Sequence, residues 1–293
     1  MGRAQITYLE DHQEAHLPIW TEALFATELL MLHADPLYYG FGAAHGDGSG
    51  VIVIPGFLCP DSWLMPMLHW LERMGYQSFY SGIGFNNECP NLLIQSRVNE
   101  TIDKAVEQTG RKVHLIGHSL GGIMARSIAG QRSKDIASVI TLGAPLRGLV
   151  AHGSVLRAAE QIRLSILEKH PSGVLPQCYT ARCTCEFAKA ARTCVPDGVM
   201  ETAIYTEDDG VVDWRYCKTD DCSANFAVHG THVGLVFNPS VYRIIAHRLA
   251  AARVLDEGCC LTRWSSPLRA RRRSRPPLRM SSGGVHWRLL IGR

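Results

Sequence analysis

The sequence predicts an α/β protein built on a doubly wound, mostly parallel sheet, and two observations support this fold class. Between residues 51 and 142, apolar runs of strand length alternate with helical segments at the spacing of crossover connections. The run 51–54 is apolar at every position, as expected of a parallel strand that is covered on both faces. With 293 residues, 46% of them hydrophobic, the chain can form one large domain of this kind or two small ones.

The predicted elements begin with a helix over residues 18–33, where Pro18 takes a first-turn position that tolerates its missing amide. The later predicted strands cover residues 51–54, 76–80, 113–116, 136–142, 199–205 and 225–229. The later predicted helices cover residues 62–74, 91–109, 123 to about 132, 156–169 and 238–255. Residues 149–199 break the alternation, and an insertion there would lie over the carboxyl ends of the strands. We therefore expect a lid or cap over the substrate site.

The predicted organisation has three parts: an N-terminal helix and connection over residues 1–48, an α/β domain over 49–256, and a tail over 257–293. Nine arginines and no lysine or acid follow Glu257, so the rest of the chain carries a net charge of −6 although the whole carries +3. The tail resembles a disordered, solvated appendage that could contact anionic surfaces weakly, and no specific nucleic-acid partner is expected. We find neither eighteen consecutive apolar residues nor a secretory signal, which predicts a cytoplasmic location.

The strongest motif is Gly-His-Ser-Leu-Gly at residues 117–121, between a predicted strand and a predicted helix. A sharp strand-to-helix turn would lift the Ser119 hydroxyl out of the sheet as a nucleophile. Gly117 and Gly121 lack the side chains that would collide where the flanking backbones approach. The Leu120 amide, at the start of the helix, would point toward an oxyanion formed on the substrate.

A nucleophilic serine needs a histidine base and a carboxylate that orients the base. In a strand–turn–helix architecture of this kind the chain order is Ser, then Asp or Glu, then His, each on a loop after a strand. The loop after the strand 199–205 supplies Asp208, Asp209 and Asp213, and the loop after the last strand supplies His229 and His232. Both loops therefore contain more than one candidate.

Residues from about 32 to 255 resemble the α/β-hydrolase superfamily, in particular its small, bacterial lipase- or esterase-like members. The segments that carry this resemblance are residues 54–57, 117–122, 142–145, 205–212 and 232–235. The resemblance implies Asp209, directly before Gly-Val-Val, as the acid and His232, directly before Val-Gly-Leu, as the base. It also implies the Phe57 backbone amide as the second oxyanion donor beside Leu120.

The predicted function is a serine hydrolase of carboxylic esters, acting on a small-molecule or lipid ester without a cofactor or a metal. An acyltransferase or an amidase could use the same machinery, since fold and triad do not fix the acceptor. A non-catalytic binding protein of the same fold is the alternative from another class. The sequence carries no signal for an oligomeric state.

The ten cysteines permit several interpretations. Cys178, Cys183, Cys185 and Cys194 could suggest zinc, but they lack a Cys-x2-Cys pair and a spaced pair of histidines. A disulfide such as Cys185–Cys194, or Cys217–Cys222, would suit an oxidising environment. Buried free thiols without a function are the plainest interpretation.

Overall fold

The computed structural model describes residues 11–263, with side chains up to residue 252. Its strands are β1 Gln13–Ala15, β2 Gly50–Ile54, β3 Gln77–Tyr80, β4 Val113–His118, β5 Ile136–Leu142, β6 Val150–His152, β7 Met200–Thr206 and β8 Asn225–Val228. Its α-helices are α1 Phe25–Ala34, α2 Met65–Arg73, α3 Pro90–Leu93, α4 Asn99–Thr109, α5 Leu120–Gln131, α6 Gly153–Lys169, α7 Glu186–Ala191 and α8 Pro239–Arg263.

Six strands form one parallel sheet in the order β3-β2-β4-β5-β7-β8. The chain runs outward from β2 to β3 and then returns to place β4 on the other side of β2. Ligands bind at such a reversal point in open α/β sheets, outside the carboxyl ends of the strands. The prediction of a doubly wound, mostly parallel sheet is confirmed.

Alternate residues of the central strands face two separate cores. On β2, Val51 and Val53 pack against α2 and α8, while Ile52 and Ile54 pack against α4 and α5. All four side chains are fully buried, which explains the uninterrupted apolar run in the sequence. The sheet is therefore the middle of three layers, and its carboxyl edge is left for the loops.

Several predicted helices differ in detail. The helix predicted over residues 18–33 is a 3₁₀ helix, Ile19–Leu24, followed by α1. A π-helical turn, Ile94–Val98, joins α3 to α4 within the helix predicted over 91–109. The last helix, α8, reaches Arg263 instead of ending near residue 255. The remainder of the predicted tail, 264–293, lies outside the described residues.

The N-terminal segment is joined to residues 149–199, which we call the β5–β7 segment. Strand β6 of the β5–β7 segment pairs in parallel with the N-terminal strand β1. The two form a separate two-stranded sheet that the sequence analysis did not predict. Strands of three residues carry too little periodicity to be recognised. Within residues 11–263, none of the helices combines the length and apolar character that a membrane span requires.

Candidate active site

Ser119 lies at the turn between β4 and α5 with φ of 50° and ψ of −119°. A non-glycine residue rarely adopts a positive φ, and such strain is concentrated at functional sites. A Cβ on Gly117 would collide with the carbonyl of Gly121, and a Cβ on Gly121 would collide with the carbonyl of Ile54. Both predicted glycines are therefore required by close backbone approaches around the serine.

Two backbone amides accompany this turn. Phe57 follows β2 and Leu120 is the first residue of α5, and the two strands are adjacent, with Ile54 paired to Gly117. Within the described residues, neither amide donates to a backbone carbonyl or a side chain. Both amides are thus available to a negatively charged oxygen at the topological reversal of the sheet.

Asp209 and His232 are brought together from the loops after β7 and β8. The Nδ1–H of His232 donates to Oδ2 of Asp209 over 2.7 Å, and the side chains of both are almost fully buried. The other oxygen, Oδ1, accepts the amides of Val211 and Val212 at 2.9 and 2.8 Å. Burial by itself would lower the pKa of His232, but the charge and hydrogen bond of Asp209, together with the charge of Glu22, outweigh it and raise that pKa.

The competing candidates are placed differently. His229 and Asp208 form a looser pair, with 3.4 Å between Nδ1 and Oδ2, and both side chains are exposed. Asp213 accepts from the guanidinium of Arg215 and not from a histidine. An ion pair between exposed side chains contributes little free energy, so the Asp208 carboxylate would hold the His229 ring only weakly.

His118 packs against His232 and forms a hydrogen bond with its backbone. Its Nε2–H donates to the carbonyl of His232 over 3.0 Å, and the two ring centroids are 4.9 Å apart. Burial, reinforced by the nearby His232, lowers the pKa of His118 to about 3. His118 is therefore neutral near pH 7, so it can pack against a protonated His232 without adding a second charge.

A buried carboxylate from the N-terminal 3₁₀ helix links the two loops. Oε1 of Glu22 accepts the amides of Gly210 and His232 at 2.8 and 3.1 Å, and Oε2 accepts that of Val233 at 2.8 Å. Gly210 directly follows Asp209 in the chain. One side chain thus joins the backbones of the two loops that carry the buried Asp–His pair.

Glu28 fastens the histidine loop a second time. It accepts the amide and the hydroxyl of Thr231 at 3.1 and 2.6 Å, and the side-chain amide of Asn238 at 3.4 Å. Burial raises the pKa of Glu28, although these donors oppose that effect. Charge-assisted hydrogen bonds of this kind offset the cost of burying a carboxylate.

Ser119 and His232 line the same cavity, which has a volume of about 260 Å³. Most of its remaining wall is apolar, and the β5–β7 segment supplies a large part of it. That contribution includes Leu149, Val155, Ala159, Tyr179, Phe187 and Ala188. The amide-bearing residues Phe57 and Leu120 also line the cavity. A wall of this kind suits an apolar ligand.

The palmitoyl protein thioesterase family model matches residues 51–193, just under half of the chain. The matched range contains the serine turn and most of the β5–β7 segment, on the parallel sheet described above. The chain has the α/β-hydrolase fold that the sequence predicts. No curated protein matches it.

Solved α/β-hydrolase structures are similar to this chain at low identity. The monoacylglycerol lipase of Paleococcus ferrophilus is 13% identical over 72% of this chain and 97% of its own, with a TM-score of 0.45. A soluble variant of monoglyceride lipase from Saccharomyces cerevisiae, in complex with a substrate analogue, is 15% identical over 75% and 88%, with a TM-score of 0.44. An extracellular α/β-hydrolase from a Paenibacillus species is 15% identical over 70% and 98%, with a TM-score of 0.44.

The sequence analysis did not identify Glu22 and Glu28 as residues of the site. Acidic residues on a predicted amphipathic helix normally lie on its solvated face, and nothing in the local pattern distinguishes these two. Only the packing of the N-terminal helices against the loops after β7 and β8 buries them.

The eight cysteines with described side chains are all free thiols, so neither Cys185–Cys194 nor Cys217–Cys222 forms a disulfide. Cys185 lies instead beside Cys183, and Cys178 lies beside Cys89. In the part of the chain that the structure describes, no group of three or more His, Cys, Asp or Glu side chains is arranged to hold a metal ion.

Proposed function

We propose that this protein is a serine hydrolase of acyl esters, with Ser119 as nucleophile, His232 as general base and Asp209 as the acid that orients it. The observation that carries the proposal is the buried 2.7 Å Asp209–His232 pair, whose histidine shares a cavity with a serine held at a positive φ. An ion pair that served only to stabilise the surface would not have to be buried, and it would not have to share a cavity with Ser119.

In the proposed reaction, Ser119 Oγ attacks the carbonyl carbon of the ester while Nε2 of His232 takes the hydroxyl proton. The negative charge on the carbonyl oxygen is stabilised by the amides of Phe57 and Leu120. His232 then gives its proton to the leaving alcohol, and the acyl group stays on Ser119. A water molecule, deprotonated by His232, releases the acid and restores the serine.

Thioesters are a second candidate substrate class, and the family match supports them. The matched family is described as palmitoyl protein thioesterase, and its range includes Ser119 and much of the cavity wall. The proposed steps apply equally to a thioester, because the thiolate is the better leaving group and needs less help from His232. The two classes differ in the atom that leaves and not in the residues required.

The test combines a probe of the serine with paired substrates. A fluorophosphonate should label the full-length protein, and peptide mapping should place the label on Ser119. Labelling should disappear in Ser119→Ala and persist in Ser172→Ala, which changes an exposed serine. Labelling at another residue, or none in the folded protein, would contradict the proposal.

Hydrolysis of p-nitrophenyl esters and acyl-coenzyme A thioesters of matched chain length then separates the substrate classes. A higher kcat/KM for esters across the series supports the ester assignment, and a higher value for thioesters supports the second candidate. The apolar wall predicts that kcat/KM rises with chain length before the 260 Å³ cavity is filled. The cytoplasmic location stays a prediction.

A further inference from the structure

Four cysteines form two close pairs beside the candidate active site. The sulfur atoms of Cys89 and Cys178 are 3.3 Å apart, and those of Cys183 and Cys185 are 3.4 Å apart. Cys89 and Cys178 are both buried, and they are far apart in the sequence. Cys89 belongs to the loop before α3, whereas Cys178 belongs to the β5–β7 segment between α6 and α7.

The Cys89–Cys178 pair can be reached by a small molecule. Both residues line the 260 Å³ cavity that contains Ser119, and both also line a second cavity of about 160 Å³ on the side of Val174. Around the sulfur atoms, Ile166 and Cys178 pack together with Leu92 in a small apolar cluster. The thiols are therefore protected from large reagents but open to one the size of a peroxide.

The environment of Cys89 favours its thiolate, which is the reactive form of cysteine. A hydrogen bond from the Cys178 thiol, supported by the backbone amides of Leu92 and Asn91, lowers the pKa of Cys89 to about 7, although burial opposes this shift. The same hydrogen bond raises the pKa of Cys178. The contact thus places the Cys178 thiol where its hydrogen bond favours deprotonation of Cys89.

We propose that Cys89 and Cys178 are a redox-responsive dithiol, which a peroxide oxidises to a disulfide that ties the β5–β7 segment to the hydrolase core. The Cys89 thiolate attacks one oxygen of hydrogen peroxide, the O–O bond breaks, and Cys89 becomes a sulfenic acid while hydroxide leaves and is protonated to water. The sulfur of Cys178 then attacks the sulfur of Cys89, losing its proton, and a second water leaves. Two thiols lose two electrons and two protons, and the peroxide is reduced to two waters.

The disulfide would act directly on the cavity wall. Tyr179 follows Cys178 with φ of 66°, and its ring centroid is 5.9 Å from that of Phe57. Phe57 carries one of the proposed oxyanion amides. A covalent bond at Cys178 would hold Tyr179 in this position, whereas the reduced segment is kept there by non-covalent contacts such as the hydrogen bonds between Phe187 and Asn91 and between His170 and Glu88.

Cys183 and Cys185 are not the proposed pair, because both belong to the β5–β7 segment. A bond between them would not tie this segment to the rest of the fold. A bond between residues two apart also closes a very small loop and constrains the unfolded chain little. The Cys89–Cys178 bond would close a loop of almost ninety residues.

The test uses the full chain after reduction and removal of the reductant. The protein is treated with one equivalent of hydrogen peroxide, free thiols are alkylated, and all ten cysteines are mapped by mass spectrometry without reduction. The expected product is a linked peptide pair containing Cys89 and Cys178, two hydrogens lighter than the sum of the free peptides. The thermal midpoint should rise by roughly 5–10 °C and return on reduction.

The variants Cys89→Ser and Cys178→Ser should each lose both the linked peptide and the peroxide-dependent rise. Cys222→Ser, which changes an exposed cysteine, should keep both. The wild-type map by itself decides the proposal if either variant fails to fold. Alkylation of both Cys89 and Cys178 after peroxide treatment, or a link from either to another cysteine, would overturn it. The mapping does not depend on turnover, so it stands apart from the proposed hydrolase activity.

Discussion

Two regions surround the candidate active site, and they are held in different ways. The loops after β7 and β8 are fastened by the buried carboxylates of Glu22 and Glu28, which accept hydrogen bonds from main-chain amides of both loops. The β5–β7 segment is held by apolar packing and paired thiols, by the pairing of β6 with β1, and by single hydrogen bonds such as that from the Phe187 amide to Asn91. Among the described residues, the buried hydroxyl of Tyr179 has no hydrogen-bond partner.

This difference corresponds to two different demands. A histidine that must accept and return a proton has to stay aligned with its carboxylate within a fraction of an ångström, and several charge-assisted hydrogen bonds can fix it there. A wall that receives an acyl chain needs shape and apolar surface but little angular precision. We therefore expect polar substitutions to be costly in the first region and mild in the second.

The largest expected effect comes from the nucleophile itself. Ser119→Ala should reduce kcat for ester hydrolysis on the order of 10⁶-fold, as loss of the nucleophile does in such triads. The thermal midpoint should not fall, because alanine tolerates the turn no worse than serine. Steady-state kinetics and calorimetry measure the two quantities. Activity within tenfold of wild type, with contaminating esterases excluded, would place the chemistry elsewhere.

The two histidines of one loop should differ strongly. His232→Ala removes the proposed base and should cost nearly as much as loss of the serine. His229→Ala removes an exposed ring whose partner Asp208 is 3.4 Å away, and kcat should stay within about threefold of wild type. A larger loss for His229→Ala than for His232→Ala would reverse the assignment of the base.

Asp209→Asn tests the cause of the raised His232 pKa. The acid limb of kcat/KM reports the pKa of the free base, and in the wild type it should lie above pH 6.5 because Asp209 raises that pKa. The neutral amide removes the charge of Asp209 while burial and the charge of Glu22 remain, so the limb should move to lower pH. Turnover above the limb should fall on the order of 10⁴-fold. An unmoved limb would mean that another group titrates.

Glu22→Gln tests how much turnover depends on the hydrogen bonds that join Glu22 to the loops after β7 and β8. The amide is isosteric but uncharged, and its NH₂ group cannot accept the amide donors of Gly210, His232 or Val233. We expect kcat to fall about 10- to 100-fold, consistent with roughly 1–3 kcal/mol for a disturbed buried acceptor, while KM changes little. Glu107→Gln, at an exposed position on α4, is the matched control. An equal loss of kcat in both variants would show that the hydrogen bonds of Glu22 have no specific effect on turnover.

The smallest expected effects are changes in the free energy of unfolding when one polar group is removed from each region. Thr231→Val removes a hydroxyl that donates to Glu28 over 2.6 Å and should destabilise the fold by about 1–3 kcal/mol. Tyr179→Phe removes a buried hydroxyl that has no partner within the part of the chain that the structure describes, so the stability should be unchanged or slightly higher. Urea unfolding of both variants measures the difference. A loss for Tyr179→Phe as large as that for Thr231→Val would show that the β5–β7 segment also depends on its polar groups.

The sheet and the turn at Ser119 could be predicted from local sequence patterns. The four fully apolar residues of β2 and the glycines around Ser119 are consequences of backbone geometry within a few positions, so the sequence contains the information directly. The order of the strands after β4 also placed an acid and a histidine on consecutive loops. The family resemblance then favoured Asp209 over Asp208 and His232 over His229.

The tertiary structure decided which polar groups are buried and which thiols are neighbours. Glu22 and Glu28 look like solvated acids in the sequence, and only the docking of the N-terminal helices turns them into acceptors for loops some two hundred residues away. Cys89 and Cys178 show no spacing that would pair them, since they meet only because the β5–β7 segment folds back over the loop before α3. Contacts between distant parts of a chain depend on how whole layers pack, and no local periodicity encodes them.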